Sequence, residues 1–146
     1  PVLTETTLTA TYGLGKGHGS CSLLVNANLK GDRYYFLAAH GKNHALAVHV
    51  LTVAEPKHES LAKPVPVSPA ARRGGTASLS WRNGQLKGTV GRTTLTGTDR
   101  TLPKGQVGFM APGTDAWFDD VKVTGILDEE WLKKRLAQAQ REEAVH

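Results

Sequence analysis

Short stretches in which apolar and polar residues alternate recur along most of the chain, and they constrain the fold more than any other feature. In the first stretch, Leu8, Ala10 and Tyr12 alternate with threonines. A period of two places apolar side chains on one face of a strand and polar side chains on the other. Cys21 is the single cysteine, so no internal disulfide supports the fold. The pattern predicts an antiparallel β-sandwich or barrel held together by packing.

The size and charge of the chain exclude several classes of protein. Its 146 residues fit one domain. No apolar run reaches the roughly 18 residues that a membrane span needs. The net charge of +5 could attract nucleic acid, but Lys and Arg are scattered and do not alternate with aromatic residues. We therefore expect neither a membrane span nor a nucleic-acid interface.

The predicted strands are separated by turns that glycine and proline mark. A glycine-rich stretch over 13–19 predicts a hairpin connection, and Asn83-Gly84 predicts a type I′ turn in a tight hairpin. The proline-rich segment over 55–75 predicts a long excursion or an irregular edge strand. Strands are expected over 4–12, 21–25, 34–40, 44–53, 77–81, 86–90, 93–95, 106–110 and 116–124.

The end of the chain changes to helical spacing. Trp131, Leu132 and Leu136 follow a cluster of acidic residues that begins at Asp128. Because a short helix does not persist on propensity alone, we expect Trp131 and Leu132 to be buried against the sandwich or a partner chain. Residues after Ala139 are expected to fray. The predicted organisation is a sandwich over 1–125 and a helical extension over 126–146.

One stretch resembles a known family. The sequence from Lys104 to Gly125 contains Gly-Gln-Val-Gly-Phe and Phe-Asp-Asp-Val-Lys-Val, which resemble the closing hairpin of concanavalin A-like domains. Residues 20–25 and 34–40 resemble strands of the laminin G-like and 3-keto-disaccharide hydrolase-like groups, and residues 82–91 resemble their central hairpin. The resemblance covers roughly residues 4–125 and implies a concanavalin A-like jelly roll with a glycan-sized surface.

The resemblance leaves a binding module and an enzyme as alternatives. Family 16 glucanases carry an acidic motif on a central strand, whereas this chain has Phe36, Ala38, Leu46 and Val48 there. Glycoside hydrolysis needs two carboxyls at a fixed separation, and no such pair is evident. We therefore expect a non-catalytic carbohydrate-binding module. The alternatives are a hydrolase whose carboxylates come from the loop over 55–59 and a structural protein-interaction domain.

Two groups of residues are candidates for ligand or metal binding. A hairpin would bring His40 and His44 opposite each other around Asn43, as solvent-exposed or ligand-facing polar residues or as part of a metal site. The second group contains Trp117, Asp119 and Asp120.

Trp117 lies beside a Pro-Gly turn and could be a sugar platform or a core residue. Phe118 and Val121 both look core-facing although they are three residues apart, which predicts a β-bulge at the two aspartates. Asp119 and Asp120 could cap backbone N–H groups or bind calcium. No other cofactor is expected.

The expected partner is a glycan. The chain begins in strand-like sequence at Pro1, which predicts a processed protein or a piece of a larger polypeptide. The family resemblance favours a periplasmic or extracellular location, and a cytoplasmic location stays open as the alternative.

Overall fold

The computed structural model describes residues 1–15, 20–41, 43–51, 56–67, 73–111 and 115–145, and they form two antiparallel sheets and one helix. The five-stranded sheet has the order β11-β1-β7-β8-β9. Its strands are β1 (Leu3–Leu14), β7 (Gly74–Arg82), β8 (Gln85–Val90), β9 (Thr93–Thr98) and β11 (Ala116–Leu127).

The six-stranded sheet has the order β10-β2-β3-β4-β5, and β6 pairs with β4 beside this path. Its strands are β2 (Cys21–Ala27), β3 (Arg33–His40), β4 (Asn43–Leu51), β5 (Pro56–Ser60), β6 (Val65–Pro66) and β10 (Gln106–Met110). The prediction of an antiparallel β-sandwich with a C-terminal helix is therefore confirmed.

The core lies between the sheets and follows the period-two pattern. Leu8 and Leu79 of the five-stranded sheet are fully buried, as are Leu23 and Leu37 of the six-stranded sheet. Trp81 is also buried, in agreement with its phase with Ala77 and Leu79. Cys21 is a buried free thiol, and burial raises its pKa to about 11. The outer face of each sheet is the face turned away from this core.

The hairpin at Asn83-Gly84 forms as its sequence predicts. Arg82 pairs with Gln85 across the turn, and both turn residues have positive φ, 47° for Asn83 and 83° for Gly84. Left-handed backbone at both central positions defines the type I′ turn, which suits Asn followed by Gly. The proline-rich segment after β4 contains the edge strand β5, which agrees with the prediction of an irregular edge strand there.

Two predicted connections are wrong because each joins strands of different sheets. β1 pairs with β7 and β11, whereas β2 pairs with β3 and β10, so β1 and β2 belong to different sheets and do not form a hairpin. In the same way β10 belongs to the six-stranded sheet and β11 to the five-stranded sheet. Local alternation identifies a strand, but it does not identify the strand with which it pairs.

Polar contacts at the border of the core tie the two sheets together. The Tyr35 hydroxyl on β3 donates to the Asp99 carboxylate at 2.5 Å and accepts the Leu102 backbone N–H at 3.1 Å. The Trp81 indole N–H donates to the Asp99 carbonyl at 3.0 Å. Burial acts to raise the pKa of Asp99, but hydrogen bonds from Thr101 and Tyr35 outweigh it and lower that pKa. The segment after β9 is thus fixed to both sheets.

Helix α1 (Glu129–Val145) begins at a capping aspartate, because the Asp128 carboxylate accepts the Trp131 backbone N–H at 3.1 Å. The helix is less buried than expected, because Trp131 is half-buried, whereas Leu132 is 36% and Leu136 is 55% exposed. The predicted fraying after Ala139 is wrong, since the helix continues to Val145. No helix in the described ranges is long and apolar enough to cross a membrane.

Candidate functional site

The indole of Trp117 is 57% exposed on the outer face of the five-stranded sheet. Trp117 pairs with Gly13 on β1, which in turn pairs with Gly74 on β7. Gly13 leaves room for the indole to lie across β1, because a Cβ on Gly13 would lie 2.1 Å from the ring. An aromatic ring over a cross-strand glycine is a known stabilising arrangement in sheets. Here it also holds a large apolar ring flat and open to solvent.

Polar groups border the indole on one side. Thr11 pairs with Asp119 on β11 and with Thr76 on β7, which places a polar row next to the row of Trp117 and Gly13. The indole and this row line a shallow groove of about 380 Å³, which we call the Trp117 groove. Its lining residues are Thr11, Tyr12, Arg73, Gly74, Gly75, Thr76 and Trp117.

The predicted bulge at Asp119 and Asp120 is present. The register between β1 and β11 shifts between Thr9 and Thr11, and Asp120 has a φ of 49°. The Asp119 carboxylate accepts the Asp120 backbone N–H at 2.8 Å, which is the capping role considered for this pair. The Thr11 hydroxyl donates to the Asp119 carbonyl at 3.1 Å and lies 3.4 Å from the Asp120 carboxylate.

The bulge keeps both aspartates exposed beside the Trp117 groove. The structure therefore brings together three residues that the sequence singled out, Trp117, Asp119 and Asp120. Calcium binding by the two aspartates stays a prediction. In the described part of the chain they are not joined by a third acidic residue, histidine or cysteine in a metal-sized cluster.

The other three candidate residues lie on the six-stranded sheet and do not meet the Trp117 groove. The β3–β4 hairpin forms as predicted, but Ala38 pairs with Ala45, so the register places His40 across from Asn43. The expected pairing of His40 with His44 is wrong by one residue. A shift of one residue moves a side chain to the other face of a strand.

His44 accordingly points into the sandwich. It alternates in phase with Leu46 and Val48 of the core and is 1% exposed. Neither ring nitrogen has a hydrogen-bond partner among the described residues. The expectation of an exposed, ligand-facing His44 is therefore wrong, whereas His40 and Asn43 are half-buried at one end of the sheet.

The outer face of the six-stranded sheet carries an aromatic cluster that the sequence reasoning missed. Tyr34 stacks on His49 at a centroid distance of 4.6 Å, and His49 meets His58 edge to face at 4.7 Å. Phe36 meets His58 at 5.1 Å. Because Tyr34 and Phe36 alternate with the core residue Tyr35, the sequence could have placed both rings on the outer face. The position of His58 beside His49 could not be predicted, because it depends on the pairing of β4 with β5.

Burial and the neighbouring His58 lower the pKa of His49. Tyr34 and Phe36 are each only 7% exposed, so they offer little open ring surface to a ligand. The hydroxyl of Tyr34 donates to the Met110 sulfur at 3.7 Å, which further fixes that ring. The exposed Trp117 indole is thus a better platform for a sugar than this cluster.

The carboxylates proposed for the enzyme alternative do not form a site in the described residues. Glu55 lies outside those residues. Glu59 is exposed on β5, where it pairs with Val48. Asp119 and Asp120 are also exposed, whereas a general acid that works near neutral pH is a desolvated carboxyl.

The fold has clear structural relatives. The carbohydrate-binding module CBM66 from Bacillus subtilis matches with a TM-score of 0.68 and 11% identity over 86% of this chain and 78% of that one. An ancestral congerin matches with a TM-score of 0.52 and 12% identity over 82% of this chain and 90% of that one. A candidate glycosyl hydrolase from Parabacteroides distasonis matches with a TM-score of 0.53 and 12% identity over 88% of this chain and 74% of that one.

No family model and no curated protein matches the sequence. At these identities the structural likeness establishes the fold alone. The chain therefore has the β-sandwich fold that these structures share, one of which is a carbohydrate-binding module.

Proposed function

We propose that this chain is a carbohydrate-binding module of the concanavalin A-like type and that it holds a sugar ring on the indole of Trp117. The observation that carries the proposal is the position of that indole, 57% exposed and laid across Gly13 in an open groove. An exposed aromatic face offers an apolar surface to the C–H groups of a pyranose, while its rigid setting limits the entropy lost on binding.

The border of the groove supplies the hydrogen bonds that a sugar needs. Thr11 and Thr76 present hydroxyls, Arg73 presents a guanidinium, and Asp119 and Asp120 present carboxylates nearby. Sugar hydroxyls both donate and accept, so a site with donors and acceptors beside an aromatic ring suits them. Calcium on the two aspartates would add an oxygen-seeking cation at the same edge.

The structural relatives support a binding role. One of them is named as a carbohydrate-binding module, and its TM-score of 0.68 exceeds those of the congerin and the glycosyl hydrolase. The enzyme alternative would need two carboxyls that flank a sugar bond, one of them desolvated. Asp119 and Asp120 are adjacent and exposed, and the Asp119 carboxylate is engaged with the bulge backbone, which favours binding over hydrolysis.

The test is affinity electrophoresis of the whole chain against a panel of neutral polysaccharides, with and without calcium. Trp117→Ala should weaken binding about tenfold, equivalent to about 1.4 kcal/mol, which is the scale of one aromatic contact. Trp117→Tyr should keep most of the affinity. Val121→Ala is a matched control, because Val121 is an exposed apolar residue on the same strand, at 50% exposure.

Thermal unfolding of each variant separates binding from stability, since Trp117 also covers Gly13. Equal affinity of Trp117→Ala and the native chain would show that the indole serves only the sheet. Binding to no member of the panel would refute the proposal. Release of reducing sugar that depends on Asp119 or Asp120 would instead establish the hydrolase alternative.

A further inference from the structure

A second cleft opens on the five-stranded sheet, at the end distant from Trp117. It has a volume of about 780 Å³ and borders β7, β8 and β9. The segment after β5 closes one side, because the Leu61 carbonyl lies so near Gly97 that a Cβ there would be 2.6 Å away. Ser60 at the end of β5 and Leu61 line this side of the cleft, and residues of the three strands line the rest.

The strand register arranges the polar lining in two adjacent rows. Ser80 pairs with Lys87, which pairs with Thr96. In the next row, Arg82 pairs with Gln85, which pairs with Thr98. Neighbouring positions on one face of a sheet lie about 5 to 8 Å apart, so the two cations can converge on one ligand group. The hydroxyls and the Gln85 amide surround them.

The lining contains two positive charges and no acidic residue. Among the described residues, one ion pair is present, between Lys104 and Asp128. Neither Arg82 nor Lys87 is therefore paired with a carboxylate of those residues. Glu5 is the acidic residue of β1, and the pairing of Thr6 with Trp81 places it beside Arg82, but the two side chains form no ion pair.

Two charged neighbours at the rim do not cancel this excess. The Asp99 carboxylate is turned away to Tyr35 and Thr101. The Arg100 guanidinium donates to the Asn83 side-chain oxygen at 2.9 Å and adds a further positive charge beside the turn. The cleft is therefore a cationic, hydroxyl-lined surface.

We propose that Arg82 and Lys87 form an anion-binding subsite for the carboxylate or sulfate groups of an acidic polysaccharide. A guanidinium presents paired N–H donors that match both groups, and Lys87 adds a point charge. Serine and threonine hydroxyls complete the hydrogen bonds to the anion or to neighbouring sugar hydroxyls. The choice of a polysaccharide rests on the proposed function of the Trp117 groove.

The two sites share one face of the sheet. Gly74 borders the Trp117 groove and Arg82 borders the cationic cleft, and both lie on β7. Eight residue steps along a strand span roughly 26 Å. Thr9, Ser78, Thr89 and Thr94 line the row between them, as consecutive cross-strand partners. A polymer several sugars long could lie along this hydroxyl-rich track and contact both ends.

The experiment measures affinity of the full chain for polygalacturonate, dextran sulfate and uncharged dextran at low ionic strength. The variant Arg82→Gln/Lys87→Gln should bind the charged polymers about tenfold more weakly or worse, because two charge-assisted contacts are removed. Its affinity should also depend less on salt. The control Lys134→Gln/Arg141→Gln removes the same charge from exposed positions on α1 and should change affinity less than about twofold.

The polymer that loses more affinity identifies the anionic group, carboxylate for polygalacturonate and sulfate for dextran sulfate. Equal losses in the two double variants would attribute binding to net charge and overturn the subsite. Absence of binding to either charged polymer by the native chain would also overturn it. Trp117→Ala, tested on neutral polysaccharides, reports separately on the proposed function, so failure of one proposal is distinguishable from failure of the other.

Discussion

Replacing Tyr35 with Phe should weaken the contact that holds the two sheets together. The substitution removes one hydroxyl and keeps the buried ring, so it leaves little cavity. That hydroxyl donates to the Asp99 carboxylate at 2.5 Å and accepts the Leu102 N–H at 3.1 Å. Burial and the Asp99 carboxylate raise the pKa of Tyr35 to about 12, so the hydroxyl is neutral and able to donate in the folded protein.

The magnitude follows from the charge of the acceptor. A hydrogen bond to an ionised group contributes about 1.5–3 kcal/mol, and the Leu102 N–H would lose its partner as well. We therefore expect Tyr35→Phe to reduce the free energy of unfolding by about 2–3 kcal/mol. For a domain of this size that corresponds to a fall in Tm of about 4–10 °C.

The assay is urea and thermal unfolding of the native chain and two single variants. Tyr34→Phe is the matched control, because it removes a hydroxyl from the adjacent residue. Among the described residues, the Tyr34 hydroxyl donates to the weak acceptor Met110 Sδ at 3.7 Å, and this contact should contribute less than about 1 kcal/mol. Equal destabilisation by the two changes, or a Tyr35→Phe chain as stable as the native one, would refute the role of this contact.

Three other predictions concern the turn, the acid limb and the helix. Gly84→Val should destabilise the domain by about 1–3 kcal/mol in urea unfolding, because φ at Gly84 is 83°, while Asn83→Gly should cost much less. Stability should fall as the pH drops below the ordinary histidine pKa of 6.5, since the lowered pKa of His49 makes the unfolded chain the better proton acceptor. His49→Gln should abolish this loss of stability. A second loss should remain as the pH falls below about 3.8, because the lowered pKa of Asp99 also makes the unfolded chain the better proton acceptor. Truncation after Asp128 should change Tm by less than about 3 °C, because α1 buries little apolar surface.

The sequence predicted what is local. Alternation identified the strands, Asn83-Gly84 identified its turn, and the spacing of Phe118 and Val121 identified the bulge at the two aspartates. Each of these depends on a few neighbouring residues whose backbone preferences are strong.

What failed depends on partners that are distant in the chain. The face of His44 depends on how β3 pairs with β4, and a turn one residue shorter than expected directed it into the core. The cluster of His49 and His58 depends on β5, and the cationic cleft on the register of three strands. The exposure of Trp117 depends on Gly13, more than a hundred residues away.

The pairing of the first strand with the last has a consequence for how the chain folds. Leu3 pairs with Leu127 and Leu8 with Val123, so β1 obtains its outer neighbour only after strands β2 to β10 have been made. Closing so long a loop has an entropic cost before any contact offsets it, and proteins rich in such distant pairings fold slowly. During synthesis β1 can pair with β7 first, and its other edge remains open as a site for misassociation until residue 127 leaves the ribosome.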